Sequence, residues 1–186
     1  MSSLKTCILC AGLACVSAPS LAGQQQPIQI FGEARGGAVV PTFDIADVAT
    51  TGPSFGLTLG FHLEPRWVIM AEFDYGFHED DPSGLLDINT IHYMAKVGYS
   101  FNGPRNEGWE WVGNLGIGGV TFDVEDAPNT FTYFAISAGG KVIYHIGPRF
   151  GVVLSPQGHI AFSDSDEVGT SDSWVWPFTA GLRVKF

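Results

Sequence analysis

The sequence predicts an all-β chain folded as an eight-stranded, antiparallel, up-and-down transmembrane β-barrel. Three observations lead there: apolar and polar residues alternate over segments of about ten residues, the connections alternate between short turns and longer acidic stretches, and aromatic residues gather at both ends of the apolar faces. Composition agrees. The 186 residues are 45% hydrophobic and 15% charged, which excludes a disordered chain, while 24 Gly and 11 Pro leave no long run with helical spacing.

The first 22 residues read as a secretory signal peptide. Lys5 precedes an apolar run from Cys7 to Val16, too short to span a bilayer, and small residues at Ser20-Leu21-Ala22 mark a cleavage site. A lipid anchor at Cys15 fits poorly, because Gly12-Leu13-Ala14 lacks the large apolar residue expected three places before the cysteine. All three cysteines lie in this segment, so no disulfide is expected in the remainder. Residues 23–27 form a polar leader, and residues 28–186 the barrel with four acidic loops on its outer side.

The first strand runs from Gln29 to about Val40, with Glu33 and Arg35 on one parity and Ile30, Ala34, Ala38 and Val40 on the other. Residues 41–53, with Pro, Asp and Thr, have a loop composition. In the second strand Phe55, Leu57, Leu59, Phe61 and Leu63 alternate with small and polar residues. A turn at Glu64-Pro65-Arg66 leads to the third, where Trp67, Ile69, Ala71, Phe73, Tyr75 and Phe77 oppose Met70, Glu72, Asp74 and His78.

An acidic loop over residues 79–88 precedes the fourth strand, where Ile91, Tyr93, Ala95, Val97, Tyr99 and Phe101 oppose His92, Met94 and Lys96. After the Asn102–Gly108 turn, the fifth strand places Trp109, Trp111, Leu115 and Ile117 opposite Glu110 and Asn114. Gly118-Gly119 reads as a β-bulge that returns Val120, Phe122 and Val124 to the apolar side. The sixth strand sets Phe134, Ile136, Ala138, Val142, Tyr144 and Ile146 against Tyr133, Ser137, Lys141 and His145. Gly147-Pro148 turns it into the seventh, with Phe150, Val152, Leu154, Ile160 and Phe162 against Arg149, Ser155, Gln157 and His159.

The eighth strand is Trp174–Phe186. Trp174, Trp176, Phe178, Ala180, Leu182, Val184 and Phe186 share one parity, and Arg183 and Lys185 lie on the other. An apolar face ending on Phe186 suits contact with lipid. A soluble β-sandwich alternates too, but does not collect aromatics at both ends of its outward faces as Trp and Tyr do at membrane interfaces.

On these residues the chain resembles the small outer-membrane β-barrel families, the OmpA-like and opacity-like barrels with eight strands, over residues 28–186. The terminal Ala180-Gly181-Leu182-Arg183-Val184-Lys185-Phe186 is similar to the signal read by the outer-membrane assembly machinery. The resemblance thus implies that Phe178, Ala180, Leu182, Val184 and Phe186 form the assembly signal. It also implies a cell-surface, Gram-negative outer-membrane location, and outer-membrane lipid and lipopolysaccharide as surroundings of a monomer.

Parity assigns Glu33, Glu64, Glu72, Asp74 and Glu110 to the interior, together with Arg35, Lys96, Lys141, Arg149, Arg183 and Lys185. An eight-stranded barrel is only wide enough for its own side chains, so these charges are expected to form a plug of ion pairs. The four long connections contain Asp and Glu but neither Lys nor Arg, which excludes nucleic acid as a partner. They are expected to meet a surface ligand, or a divalent cation at His78-Glu79-Asp80-Asp81 or Asp164-Ser165-Asp166-Glu167.

Catalysis is not expected. The nearest set, His159, Ser163 and Asp164 or Asp166, lacks the His-x-Ser-Asn pattern of lipid A deacylases. All five histidines fall on the interior parity, where His78, His92 and His159 have the means to converge as a metal site only if the strand stagger brings them together. The expected role is therefore a structural or surface-interaction protein without cofactor. A narrow transporter for small or hydrophobic molecules and a lipid A-modifying enzyme are the alternatives.

Overall fold

The computed structural model describes residues 28–47, 49–78, 88–124, 130–164 and 172–186. The signal segment, the leader, and Glu79, Asp80, Asp81, Asp87, Glu125, Asp126, Asp166 and Glu167 lie outside the described residues. Eight strands follow one another: β1 (Ile30–Thr42), β2 (Gly52–His62), β3 (Trp67–His78), β4 (Ile88–Ser100), β5 (Gly108–Val124), β6 (Phe131–His145), β7 (Phe150–Ala161) and β8 (Ser173–Lys185). Each pairs antiparallel with its neighbours in sequence, and β8 closes on β1, so the sheet has no free edge.

The register sets the size of the cylinder. Paired residues traced once around the wall from Gly32 through Leu59, Ala71, Ala95, Ile117, Ile136, Ile160 and Trp174 return to β1 at Thr42, ten residues further along. A stagger of that size over eight strands tilts them by roughly 40° and leaves a bore that side chains fill.

The outer wall is apolar, with Leu57, Leu59, Leu115, Ile117 and Leu182 all more than half exposed. Such a belt is unfavourable in water and favourable in lipid. Aromatic neighbours on adjacent strands extend it toward both ends. Near the short turns Trp67 meets Tyr99 edge-on with ring centroids 5.2 Å apart, and Trp109 meets Tyr144 at 4.9 Å; toward the long connections Phe134 stacks on Phe162 at 6.1 Å.

The short turns gather at one end with the start of β1 and the end of β8. In the longest of them Asn102 accepts from the Trp111 amide at 3.1 Å and donates to the Trp109 carbonyl at 2.7 Å, while Gly103 and Gly108 take positive φ angles of 74° and 84°.

Three expectations change. Gly118 and Gly119 make no bulge: the ladder with β4 and with β6 runs through both without a skipped residue, so Val120 and Phe122 point inward and are buried. Gly119 instead makes room for the Tyr93 ring, which a β-carbon there would approach to 2.6 Å. Residues 41–53 are not all loop, since β1 continues to Thr42 and a 3-10 helix spans Phe43–Asp47. That helix enters through Phe43, at a φ of 60° with its ring edge-on to Trp174, and sends Ile45 and then Ala49 into the barrel end. They join Val39, Met94, Val120, Phe122, Ala135, Ala161 and Val175 in an apolar stopper.

The third change concerns Arg149 and Glu64, both expected inside and both exposed. Each sits in a short turn beyond the last paired residues of its hairpin, where Leu63 bonds to Trp67 and Ile146 to Phe150. Strand parity assigns a face only while the ladder persists.

Candidate functional site

Below the stopper the interior is charged. Glu33, Arg35, Glu72, Asp74, Lys96, Lys141 and Arg183 are each 4% exposed or less. Tilted strands bring these residues from five of the eight strands to one level. Glu33 stands opposite Arg183 in the β1–β8 register. Its Oε1 accepts from Arg183 Nε at 2.8 Å and Nη2 at 2.5 Å, and its Oε2 accepts from Lys141 at 2.6 Å.

Lys141 spans the bore, since its Nζ is also 2.9 Å from Glu72 Oε2 and donates to Thr58 at 3.1 Å. Glu72 Oε1 takes a hydrogen bond from Lys96, which donates as well to Gln157 at 3.0 Å. Arg35 closes the network: Nη2 reaches Asp74 Oδ1 at 3.0 Å and Glu72 Oε2 at 3.1 Å, while Nη1 donates to Ser155 at 2.9 Å and Thr179 at 3.1 Å.

Such density matters because each buried charge is costly unless its partners are close and its hydrogen bonds complete. Here every carboxylate of the central level touches at least one cation. The backbone is shaped for it. Gly56 faces inward, and a β-carbon there would lie 2.0 Å from Asp74 Oδ1 and 2.9 Å from Arg35 Nη2.

Toward the short-turn end lies a second, looser group. Glu110 Oε2 pairs with His145 Nε2 at 2.6 Å and lies 3.9 Å from Arg183, whose guanidinium stacks 4.0 Å over Phe31. Lys185 donates to the Arg105 carbonyl at 2.6 Å, tying β8 to the turn before β5.

The histidines separate into different environments. His78 engages the Thr50 carbonyl at 2.7 Å and Thr90 at 3.3 Å, whereas His92 and His159 meet each other, Nδ1 to Nδ1, at 2.7 Å. Among the described residues of the nearest candidate set, His159 and Ser163 are engaged elsewhere. The Nδ1 of His159 is taken by His92, and Ser163 Oγ lies 3.1 Å from Ser173 Oγ. Of the loop acids, Asp164 and Asp172 are exposed and Asp123 is half-buried.

The sequence reading missed the apolar stopper. Ile45 and Ala49 lie in a stretch of loop composition, and the only signal was an isolated Ile between two aspartates. Phe31, Val39, Val112, Ile143 and Val153 are also buried on the parity that carries the charges, a mixture that alternation alone does not resolve.

Comparison with known proteins matches this architecture. The family described as outer membrane protein beta-barrel domain matches residues 8–186. No curated protein sequence matches the chain. Among solved structures the fold is similar to neisserial surface protein A, at 14% identity and a TM-score of 0.63 over 86% of this chain and 97% of that one. It is similar also to the N-terminal β-barrel domain of Pseudomonas aeruginosa OprF, at 15% identity and 0.57, covering 85% and 97% of the two chains. A third is Ail, the attachment invasion locus protein of Yersinia pestis, at 18% identity and 0.51, covering 86% and 97%. At these identities the likeness is one of fold.

Proposed function

Because the chain belongs to the outer membrane protein β-barrel domain family, we propose that it is a plugged outer-membrane barrel acting as a structural or surface-interaction protein through its acidic loops, not as a pore or an enzyme. The observation that carries this reading is the central ion-pair level, where carboxylates and cations from both sides of the bore bond directly to one another and are each 4% exposed or less. Ion flow through it would require Lys141 to leave Glu33 and Glu72 together, exposing unpaired charge. The apolar stopper led by Ile45 supports the same reading from the other end.

In this reading the short turns face the periplasm and the long connections the exterior. Phosphate-rich partners are disfavoured by the acidic connections of a chain with formal net charge −10, and a basic surface on a ligand or neighbouring cell component is the complementary one. Outer-membrane lipid and lipopolysaccharide surround the monomer.

Planar-bilayer recording tests the plug. The reconstituted barrel is expected to show no regular conductance steps, and reproducible unitary currents would favour the narrow-transporter reading. A binding screen of the intact barrel against a version with Asp123, Asp164 and Asp172 changed to Asn tests the loops. Retention on a basic ligand surface is expected to fall, and equal retention would remove the acidic-loop interaction.

The same reading makes the β8 face Phe178, Ala180, Leu182, Val184 and Phe186 the segment read by the assembly machinery. Phe186 is 79% exposed at the short-turn end, and its amide bonds the Ile30 carbonyl at 2.9 Å across the closing seam. Phe186→Ser is expected to lower the amount of folded barrel in outer-membrane fractions several-fold, read by the gel shift between unheated and heated samples. Wild-type levels would contradict the assignment.

A further inference from the structure

The apolar belt is not evenly filled. Gly32, Ala71 and Ala95 lie on one row of the wall, because Gly32 pairs with Leu59, Leu59 with Ala71 and Ala71 with Ala95. All four residues are on the outward parity, and around the three small ones the wall carries a depression of about 980 Å³. Phe73 and Tyr93, paired on the next outward row toward the long connections, frame it above, and Phe186 frames it at the seam. The Phe186 ring keeps to the wall, 3.7 Å from where a β-carbon on Gly32 would stand.

Toward the short turns the same two strands carry Ile69 opposite Val97 and then Trp67 opposite Tyr99. Trp67 meets Tyr99 edge-on, and the exposed Arg66 donates to the Tyr99 hydroxyl at 3.0 Å. From Trp67 to Ala71 the strand rises by about 13 Å. At a tilt of roughly 40° that is a depth of about 10 Å, inside one leaflet of a hydrocarbon core about 30 Å thick.

We propose that this part of the wall is a phospholipid site, an inference that rests on the outer-membrane reading above. One acyl chain lies over Ala71 and Ala95, and the phosphate meets Arg66. A void against the wall forfeits dispersion contacts on one side, and a flexible chain recovers them. A second copy of the barrel does not, because its own wall is convex.

Lipid tails are as apolar as the wall, so they give little preference of their own and the selectivity has to come from the headgroup. Arg66 supplies charge-assisted donors for a phosphate, beside the Trp and Tyr that suit the interface. Glu64, exposed two positions earlier in the same turn, offers a carboxylate to an ammonium group, which favours a phosphoethanolamine headgroup.

Native mass spectrometry of the folded barrel, released from detergent after addition of palmitoyl-oleoyl phosphatidylethanolamine, tests the site. One retained lipid per chain is expected to dominate at concentrations where a second is scarce. Arg66→Gln, and the pair Ala71→Leu with Ala95→Leu, are each expected to lower the one-lipid species several-fold. Arg105→Gln is expected to keep it, since that turn is drawn under the bore by the bond from Lys185 to the Arg105 carbonyl. Palmitoyl-oleoyl glycerol, with the same chains and no headgroup, is expected to be retained several-fold less. Leucine suits a lipid-facing wall, and the gel shift checks that each variant folds.

No retained lipid, or equal retention in every variant, would overturn the assignment. A dimer mass that the leucine pair abolishes would overturn it too, by giving the wall to a second copy. Should the leucine pair fail to fold, the ratio of phosphatidylethanolamine to the headgroup-free lipid on wild-type protein decides, and a ratio near one counts against the site. Insertion into vesicles of the same phospholipid is measured alongside by protection from protease. A barrel that inserts yet retains no lipid overturns this site alone, whereas one that does not insert overturns the membrane reading as well.

Discussion

Replacing Glu33 with glutamine is expected to lower the unfolding free energy by about 3–5 kcal/mol, the cost of stripping one member from a buried charge group. Glu33 accepts from Arg183 through two nitrogens and from Lys141, and Arg35 Nε stands 3.7 Å away. Glutamine keeps the shape and removes the charge, leaving three cations with Glu72, Asp74 and Glu110 as their remaining acids. Urea unfolding in detergent micelles, followed by tryptophan fluorescence, measures the loss. The double variant Glu33→Gln, Arg183→Met is expected to recover part of it, because the replacement removes a charge that has lost its closest partner. Arg149→Ala is the matched control: Arg149 is exposed in its turn, and its loss is expected to change stability by no more than about 0.5 kcal/mol. A Glu33→Gln effect as small as that of Arg149→Ala would show that the network is not what holds the bore.

The second large effect is expected on the opposite surface. Leu57 lies at the centre of β2, faces outward and is 51% exposed on the apolar belt. Leu57→Arg is expected to cost about 2–4 kcal/mol, the range for arginine at the midplane of a lipid-facing wall. The same substitution at Leu63, in the turn beyond β2, is expected to cost less than about 1 kcal/mol, because its charge reaches the interface. Unfolding in phospholipid vesicles checks the pair, and equal costs at the two positions would contradict the placement of the membrane belt. In detergent micelles, which deform around a charge, the difference is expected to shrink.

These two variants mark what was legible in the residues. Alternation carried the eight strands, their direction of facing and the apolar belt, because a β-strand turns each successive side chain over regardless of what surrounds it. Leu57 and Glu33 therefore declared their faces before any tertiary contact was known. The same rule overreached where the ladder stops. Glu64 and Arg149 keep the interior parity in the sequence, yet they stand in turns where no partner strand fixes their direction. It was also misled at Gly118-Gly119, where a run of small and apolar residues suggested a bulge. The continuous pairing with β4 and β6 instead sends Val120 and Phe122 into the stopper.

By itself, then, the sequence determined the strand count, the closure into a barrel with a charged bore and an apolar exterior, and the chemistry of the connections. Only the tertiary structure decided which inward residues meet. Lys141 reaches Glu33 and Glu72 across 108 and 69 positions of chain, and His92 bonds to His159 while His78 bonds to Thr50 and Thr90. The physical reason is the stagger: a ten-residue offset accumulated around eight strands sets the height of every side chain in the bore. That offset comes from hairpin registers and from the β8–β1 seam, which no local pattern of residues encodes.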